Sequence, residues 1–413
     1  MDASRNGEDP SRRGATRRQL LLGGAVAGVG AAAAIGIDLA FGAPPRTAAA
    51  SAPLNGTATV PFHGVHQAGI DTDAQSHALF LGLDLHEHVD RADLGRMMRI
   101  LSDDAARLTR GLPALADSEP ELAVAPARLT VTFGFGPGLV ARAQGEPPAW
   151  LRPLPAFGID RLQPEYCNGD LLIQIASDDP VTVAHARRML LKDTRSFAAI
   201  RWTQQGFRRA HGTVKPGTTM RNLFGQVDGT TNPVPGTLDF DEVVWSDQGW
   251  LAGGTSLVIR RIRMDLDAWD RLDRSGRDQA LGRHQSNGAP LSSGPEGEHA
   301  EFDEPDFGAT TAIGFPVIPE FSHIARARSA HPRERVFRRG YNYDEPPQGG
   351  AISDAGLIFA SFQADIDAQF TPIQRRLDRL DLLNEWTAPV GSAVFAVPPG
   401  CREGGFIGET LLA

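Results

Sequence analysis

The stretch from Asn222 to Pro233, NLFGQVDGTTNP, holds a single charged residue, Asp228, directly before Gly229. An Asp-Gly step is most often a turn, because glycine accepts the positive φ that tight turns need and aspartate bonds its own backbone. The same glycines, Gly225 and Gly229, would also let the main chain approach a flat ligand closely, with the Asp228 carboxylate projecting over its face. A second stretch, EFSHIARARSAHPRERVFRRGYNYD, sets His323 and His331 among arginines that include Arg333 and Arg338. A haem would use such a segment well, an imidazole binding iron axially and guanidinium groups neutralising the propionates. A solvated basic loop on an acidic protein explains this second stretch equally well.

The remaining titratable residues carry weaker signals. His63, His66, His86 and His88 cluster near the first apolar run without paired carboxylates or cysteines at a recognisable ligand spacing. His185 falls within an amphipathic helical pattern and reads as structural. Two cysteines, Cys167 and Cys401, are too few for a CxxC metal site, an iron–sulfur cluster or a CxxCH haem attachment. They are equally compatible with one disulfide and with two free buried thiols.

The elements that must position these residues follow from periodicity. Residues 78–85 read as a strand, and residues 90–111 repeat Leu94, Met97, Met98, Leu101 and Ala105 at helical spacing. ARLTVTFGFGPGLV, DLLIQIASDD, PVTVAHARRMLLKD and FAAIRWTQQGFRR follow as strand, strand, helix and strand, a βαββαβ order. The second half repeats the plan more loosely, with strands in TSLVIRRIRMD, GLIFASFQAD and SAVFAVPP and helices over residues 266–284 and 370–386. The expected fold is therefore α+β, two ferredoxin-like halves, with domains at 51–220 and 221–413. Between the strands of the second half, residues 284–355 are polar, rich in Gly, Pro, Arg and His, and read as a long loop.

With 413 residues, 41% hydrophobic and 22% charged, and a formal charge of -9, the chain is that of an acidic globular protein without the basic excess of a nucleic-acid binder. Residues 1–50 differ in kind. A basic start, an Ala/Gly-rich apolar run and small residues in RTAAASA give the layout of an export signal. Arg17 and Arg18 resemble the twin-arginine pair of a signal that carries already folded proteins, with Arg12 and Arg13 a poorer pair.

Taken together, RNLFGQVDGTTNP, SHIARARSAHPR and FRRGYNY resemble the dye-decolourising peroxidases, haem peroxidases with a GxxDG motif. The resemblance runs over nearly all of the chain beyond the leader, from PFHGVHQAGI through DLLIQIASDDP to GLIFASFQADIDAQFTPIQRRL and GSAVFAVPPG. It implies a b-type haem held mainly by the second half, with His323 as proximal iron ligand, Asp228 on the distal face and Arg338 as distal arginine. Asn232 matches an asparagine of that motif. Gly229, Thr230, Thr231 and Arg333 become haem-contact residues, and Asp365 the carboxylate expected to orient His323. One departure raises His331 as a rival ligand: in HIARARSAHPR the proline comes later than the family usually places it.

The resemblance further implies hydrogen peroxide and small aromatic reductants as substrates, with a deferrochelatase-type role in haem or iron handling as the alternative. A chlorite dismutase-like activity is a weaker option, since that related fold lacks the GxxDG carboxylate. Implied partners are the twin-arginine translocation machinery, iron-uptake proteins and a second copy of the chain, in a periplasmic or extracellular setting. Trp202, Trp245, Trp250, Trp269, Trp386, Tyr341 and Tyr343 are available as aromatic donors, and ordinary packing explains each of them as well.

Overall fold

Strand β1 (His77–Leu85) shows how the chain sorts its side chains. Leu79, Leu81, Leu83 and Leu85 enter one buried cluster, while Ala78 and Phe80 enter another. That split is what period two imposes on a strand covered on both faces. The first cluster lies under α1 (Arg91–Leu108) and α3 (Pro180–Thr194), and the second is built from side chains of β1, β3, β4, β5, β8 and β9.

In this computed structural model, residues 54–413 are described except 295, 296, 298, 299, 330, 348 and 349. The leader read as an export signal lies outside the described residues. Among those described, no helix is long and apolar enough to cross a membrane.

The first half runs β1, α1, β2 (Thr130–Phe135), α2 (Pro137–Arg142), β3 (Leu171–Ser177), α3 and β4 (Ala198–Phe207). Its strands lie in the order β2-β3-β1-β4, all antiparallel. Helix α1 starts where expected because Asp90 accepts from the Asp93 amide while the Asp93 side chain accepts from the Asp90 amide. Helix α3 starts at Pro180 behind an Asp179 cap.

The second half runs α4 (Leu238–Val244), β5 (Thr255–Met264), α5 (Leu266–Trp269), α6 (Arg274–Leu281), α7 (His323–Ala327), β6 (Phe337–Arg338), β7 (Tyr341–Glu345), β8 (Asp354–Gln363), α8 (Phe370–Leu380), β9 (Thr387–Val397) and α9 (Glu409–Leu412). Strand β5 pairs with β9 on one edge and β8 on the other, and β6 and β7 lie in sequence along the far edge of β8. Each half thus has the ferredoxin-like order, and the two join into a closed sheet. The seams are thin: one ladder pair, Phe135 with Ala396, joins β2 to β9, and one, Phe207 with Asn342, joins β4 to β7.

Three expectations need correction. The polar region 284–355 is not one loop, because it contains α7 and the strands β6 and β7. The pattern over 266–284 breaks into α5 and α6, and that over 370–386 stops at Leu380, with a single 3-10 turn, Leu382–Glu385, beyond it. Both cysteines are free and buried, so the disulfide reading is set aside. His185, by contrast, is the structural residue expected, its Nε2 lying 2.9 Å from Asp117 in a buried pair.

Beneath the first half, Asp104 on α1 and Asp193 on α3 bring two carboxyls together. Burial, and then the Asp104 carboxylate, push the Asp193 carboxyl up to about 7. The folded protein therefore holds a proton that the unfolded chain releases near pH 4. Stability from this group is present at acid pH and falls as pH rises from about 4 to about 7. Asp193→Asn is expected to raise the thermal midpoint by a few degrees at pH 8 and to change it little at pH 4, as read by melting curves at both values.

Candidate functional site

Asp228 closes a tight hairpin. Its amide donates to Met220 O at 2.8 Å, Arg221 and Val227 form an antiparallel bridge, and Asn222 Oδ1 accepts from the amides of Phe224 and Gln226. Beyond it, Gly229 stands at φ +127, a conformation that L side chains rarely adopt, and its carbonyl accepts from the Asn232 amide at 2.9 Å. The Asp-Gly step is a turn after all, and the turn is what aims the carboxylate.

Arg338, the last residue of β6, donates from Nη1 to Asp228 Oδ1 at 3.0 Å and reaches Thr231 Oγ1 from Nη2 at 3.4 Å. Asn232 fixes the main chain of that arginine on both sides. Its Nδ2 donates to Arg338 O at 2.7 Å, and its Oδ1 accepts from the Arg338 amide at 3.1 Å. Asn232 therefore orders the arginine directly, a role more specific than the family motif implied. Thr230 Oγ1 donates to Glu301 at 3.0 Å, tying the turn to the polar region that follows α6.

His323 is the first residue of α7, and its position depends on Gly282. A Cβ at Gly282, which has φ +86, would come within 2.6 Å of Ile324 Cγ1 and 2.8 Å of Ser322 Oγ. The C-terminal end of α6 can close against the start of α7 only without a side chain there. His323 Nδ1 lies 2.6 Å from Asp381 Oδ2, and the Asp381 side chain is 4% exposed. The ring donates its Nδ1 proton to that carboxylate, which leaves the Nε2 lone pair free for a metal. Burial works against the charged ring, but the Asp381 carboxylate outweighs it and raises the His323 pKa. Arg338 acts against this rise and Asp228 with it, so the proximal and distal groups share one electrostatic field.

The carboxylate behind His323 is thus Asp381 and not Asp365. Asp365 closes the turn before α8, its Oδ1 accepting from the Ala368 amide at 2.9 Å. It lies before the first residue of α8 and Asp381 directly after the last, so the whole helix, about 16 Å long at 1.5 Å per residue, lies between them. Asp381 was hidden because residues 370–386 read as one helix. In the structure the helix ends there, and Asp381 Oδ1 accepts from the Leu383 amide to start the next turn. An aspartate followed by an apolar pair is a cap signal that the periodicity masked.

His331 is exposed on a turn, its ring nitrogen accepting from the Arg333 amide at 3.3 Å. Among the described residues no carboxylate hydrogen-bonds its ring, so His323 is the better ligand. Arg333 is also exposed, and no hydrogen bond or ion pair joins it to Asp228, Arg338 or His323. Among the described residues no three His, Cys, Asp or Glu converge to hold a bare metal ion. A lone oriented imidazole, with no second ligand beside it among the described residues, is the donor set for a metal that brings its other ligands with it, as haem does.

A cavity of about 260 Å³ opens onto Asp228, Gly229, Asn232 and Arg338, and its other wall is Asp71, Thr72, Asp73, Ala74 and Arg208 from the first half. No local pattern signals this wall, because nothing around residues 71–74 or 208 says that they meet Arg338. Replacing Asp381 by Asn is expected to lower haem affinity about 10- to 100-fold while leaving the fold intact. His323→Ala is expected to abolish the Soret band and His331→Ala to leave it unchanged, all read by titrating haem into the purified apoprotein.

Comparison with known proteins agrees with this geometry. Residues 67–208 match the N-terminal domain, and residues 219–402 the C-terminal domain, of the Dyp-type peroxidases. The chain is 35% identical to the dye-decolorizing peroxidase of Thermobifida fusca (strain YX), over 98% of this chain and 99% of that protein. It is 32% identical to the deferrochelatase of Escherichia coli (strain K12), over 85% and 87% respectively. Among solved structures, the DyP-type peroxidase from Cellulomonas bogoriensis is 51% identical with a TM-score of 0.83, covering 87% of this chain and 99% of that one. A DyP-type peroxidase from Streptomyces coelicolor is 38% identical with a TM-score of 0.84, covering 88% and 100%. The chain belongs to the Dyp-type peroxidase family, and it is an enzyme whose cofactor is haem.

Proposed function

We propose that the protein reduces hydrogen peroxide and oxidises dyes, phenols or similar one-electron donors. The observation that carries this reading is the Asp228–Arg338 pair, held at 3.0 Å, together with an imidazole, His323, whose Nδ1 is engaged. When bound, haem supplies a redox-active iron at which peroxide is reduced and from which a donor is oxidised one electron at a time. Asp228 would serve as the proton-handling group, its carboxylate taking a proton from one peroxide oxygen and returning it to the other. Arg338 is permanently cationic and stabilises the negative charge that develops on the departing oxygen. Asn232 keeps Arg338 in line through its two main-chain bonds. His323 would hold the group through Nε2, and Asp381 would make it the stronger ligand by accepting a hydrogen bond from Nδ1.

The second reading is a haem- or iron-handling protein of the deferrochelatase type, supported by identity to that group of relatives. The two readings differ in what they ask of the distal pair. Asp228→Ala combined with Arg338→Leu is expected to keep the Soret band and to lose at least 100-fold in peroxide-dependent dye oxidation. Retention of full turnover would rule out the distal pair as the proton-handling groups, and loss of turnover with iron release from haem preserved would favour the iron-handling reading.

We also propose export by the twin-arginine route to a periplasmic or extracellular location, on the strength of Arg17-Arg18 and the apolar run behind them. Folded, haem-loaded protein would then cross as a unit. Changing both arginines to lysine is expected to leave active holoprotein inside the cell and to empty the exported fraction, as measured by fractionation and haem absorbance.

A further inference from the structure

Arg339, the neighbour of Arg338, is almost wholly buried, at 2% exposure, and among the described residues no carboxylate pairs with it. Its two Nη groups are bonded instead to one segment of the other half, while its Nε, also buried, has no hydrogen-bond partner. Nη1 donates to Thr72 O and to Ile70 O at 3.4 Å, and Nη2 donates to Asp73 O at 3.2 Å and to Gln75 Oε1 at 2.8 Å. A buried guanidinium held by four neutral acceptors is costly to disturb, since each lost bond leaves a charge undersolvated.

Two features give this clamp a consequence for the chemistry. The segment it grips supplies Asp71, Thr72, Asp73 and Ala74, which wall the cavity in front of Asp228 and Arg338. The clamp also spans the seam where β4 meets β7 through the single pair Phe207 and Asn342. With so little ladder there, side chains must fix the Arg338–Gly340 backbone. From the first half Arg208 Nε donates to Gly340 O at 2.9 Å, and the Arg339 amide donates to Ala360 O at 2.8 Å on the β8 side. Asn342 Nδ2 then ties β7 to the Asp228 hairpin through Arg221 O at 3.1 Å.

We propose that Arg339 is a positioning residue for peroxide reduction, one that sets the Arg338–Asp228 pairing by locking β6–β7 to the Ile70–Gln75 segment of the first half. The two consecutive arginines divide the labour. Arg338 faces the reacting atoms, and Arg339 makes the first half part of the distal site. The assignment rests on the distal-pair reading above, and its test separates the two.

In the holoenzyme, Arg339→Gln is expected to lower kcat/KM for peroxide about tenfold and to leave the KM for the reducing dye unchanged. Arg339→Lys, which keeps the charge but not the fork, should recover part of the loss. In an Arg338→Leu background, Arg339→Gln should cost nothing further, because its effect passes through Arg338. Hydrogen exchange should quicken at residues 70–75 and 338–340 while α1 and α3 stay protected. Gln75→Leu, which removes one of the four acceptors together with the Gln75 Nε2 bonds to Arg128 O and Thr130 Oγ1, is expected to show the same changes at smaller size, and it serves if Arg339→Gln does not fold. An unchanged peroxide kcat/KM, or equal and additive losses in both backgrounds, would overturn the proposal. If Arg338→Leu itself leaves turnover intact, the distal-pair reading fails, and exchange at 338–340 still decides whether Arg339 fixes that backbone.

Discussion

The cavity in front of Asp228 and Arg338 depends on where the two halves of the closed sheet, which share their apolar clusters, are joined. Each half is stitched by full antiparallel ladders, but the halves share one pair at each seam. Hydrogen bonds of the sheet alone would leave the β4–β7 edge poorly specified. The polar side chains there, Arg208, Arg339 and Asn342, supply the missing constraint with bonds to main-chain carbonyls. Arg338 lies in β6, directly before the residues these side chains hold, so its guanidinium is placed by the join between the halves as well as by its pairing with β8.

The charges of the site are arranged in two pairs, Asp228 with Arg338 and His323 with Asp381, and the first pair acts electrostatically on His323. A charge taken out of water is costly unless it is paired and bonded, and both pairs meet that condition with side chains far apart in the chain. Each also leaves one useful function uncommitted. The histidine keeps its Nε2 lone pair, and the Asp228 carboxylate keeps its second oxygen toward the cavity. A lone imidazole would be a weak, freely turning ligand, and an unpaired carboxylate would be costly to bury. Pairing makes both reactive groups rigid, and rigidity is what proton transfer at a fixed metal requires.

Much of the first half could be read directly. The Asp90 cap, the Leu94–Met98–Leu101 spacing and the Pro180 start of α3 are local signals, and local signals were enough. The second half was harder because its second strand is split into β6 and β7 by two residues and lies inside a polar region, where a two-residue strand has no periodicity to show. Asp381 was missed for the opposite reason: an amphipathic pattern that continued past the true end of α8 concealed the break that buries it. Asp365 carried the same residue type at the wrong end of the helix.

By itself the sequence determined the residue types and their order: a turn carrying Asp228, a basic stretch carrying His323 and Arg338, and alternation sufficient for two ferredoxin-like halves. These are properties of short windows, where spacing along the chain equals geometry. Only the tertiary structure decided which carboxylate stands behind His323, that Asn232 grips the backbone of Arg338, and that residues 71–74 of the first half wall the cavity. Those contacts join positions tens to hundreds of residues apart, and the closing of the sheet, which no local pattern encodes, brings them within bonding distance.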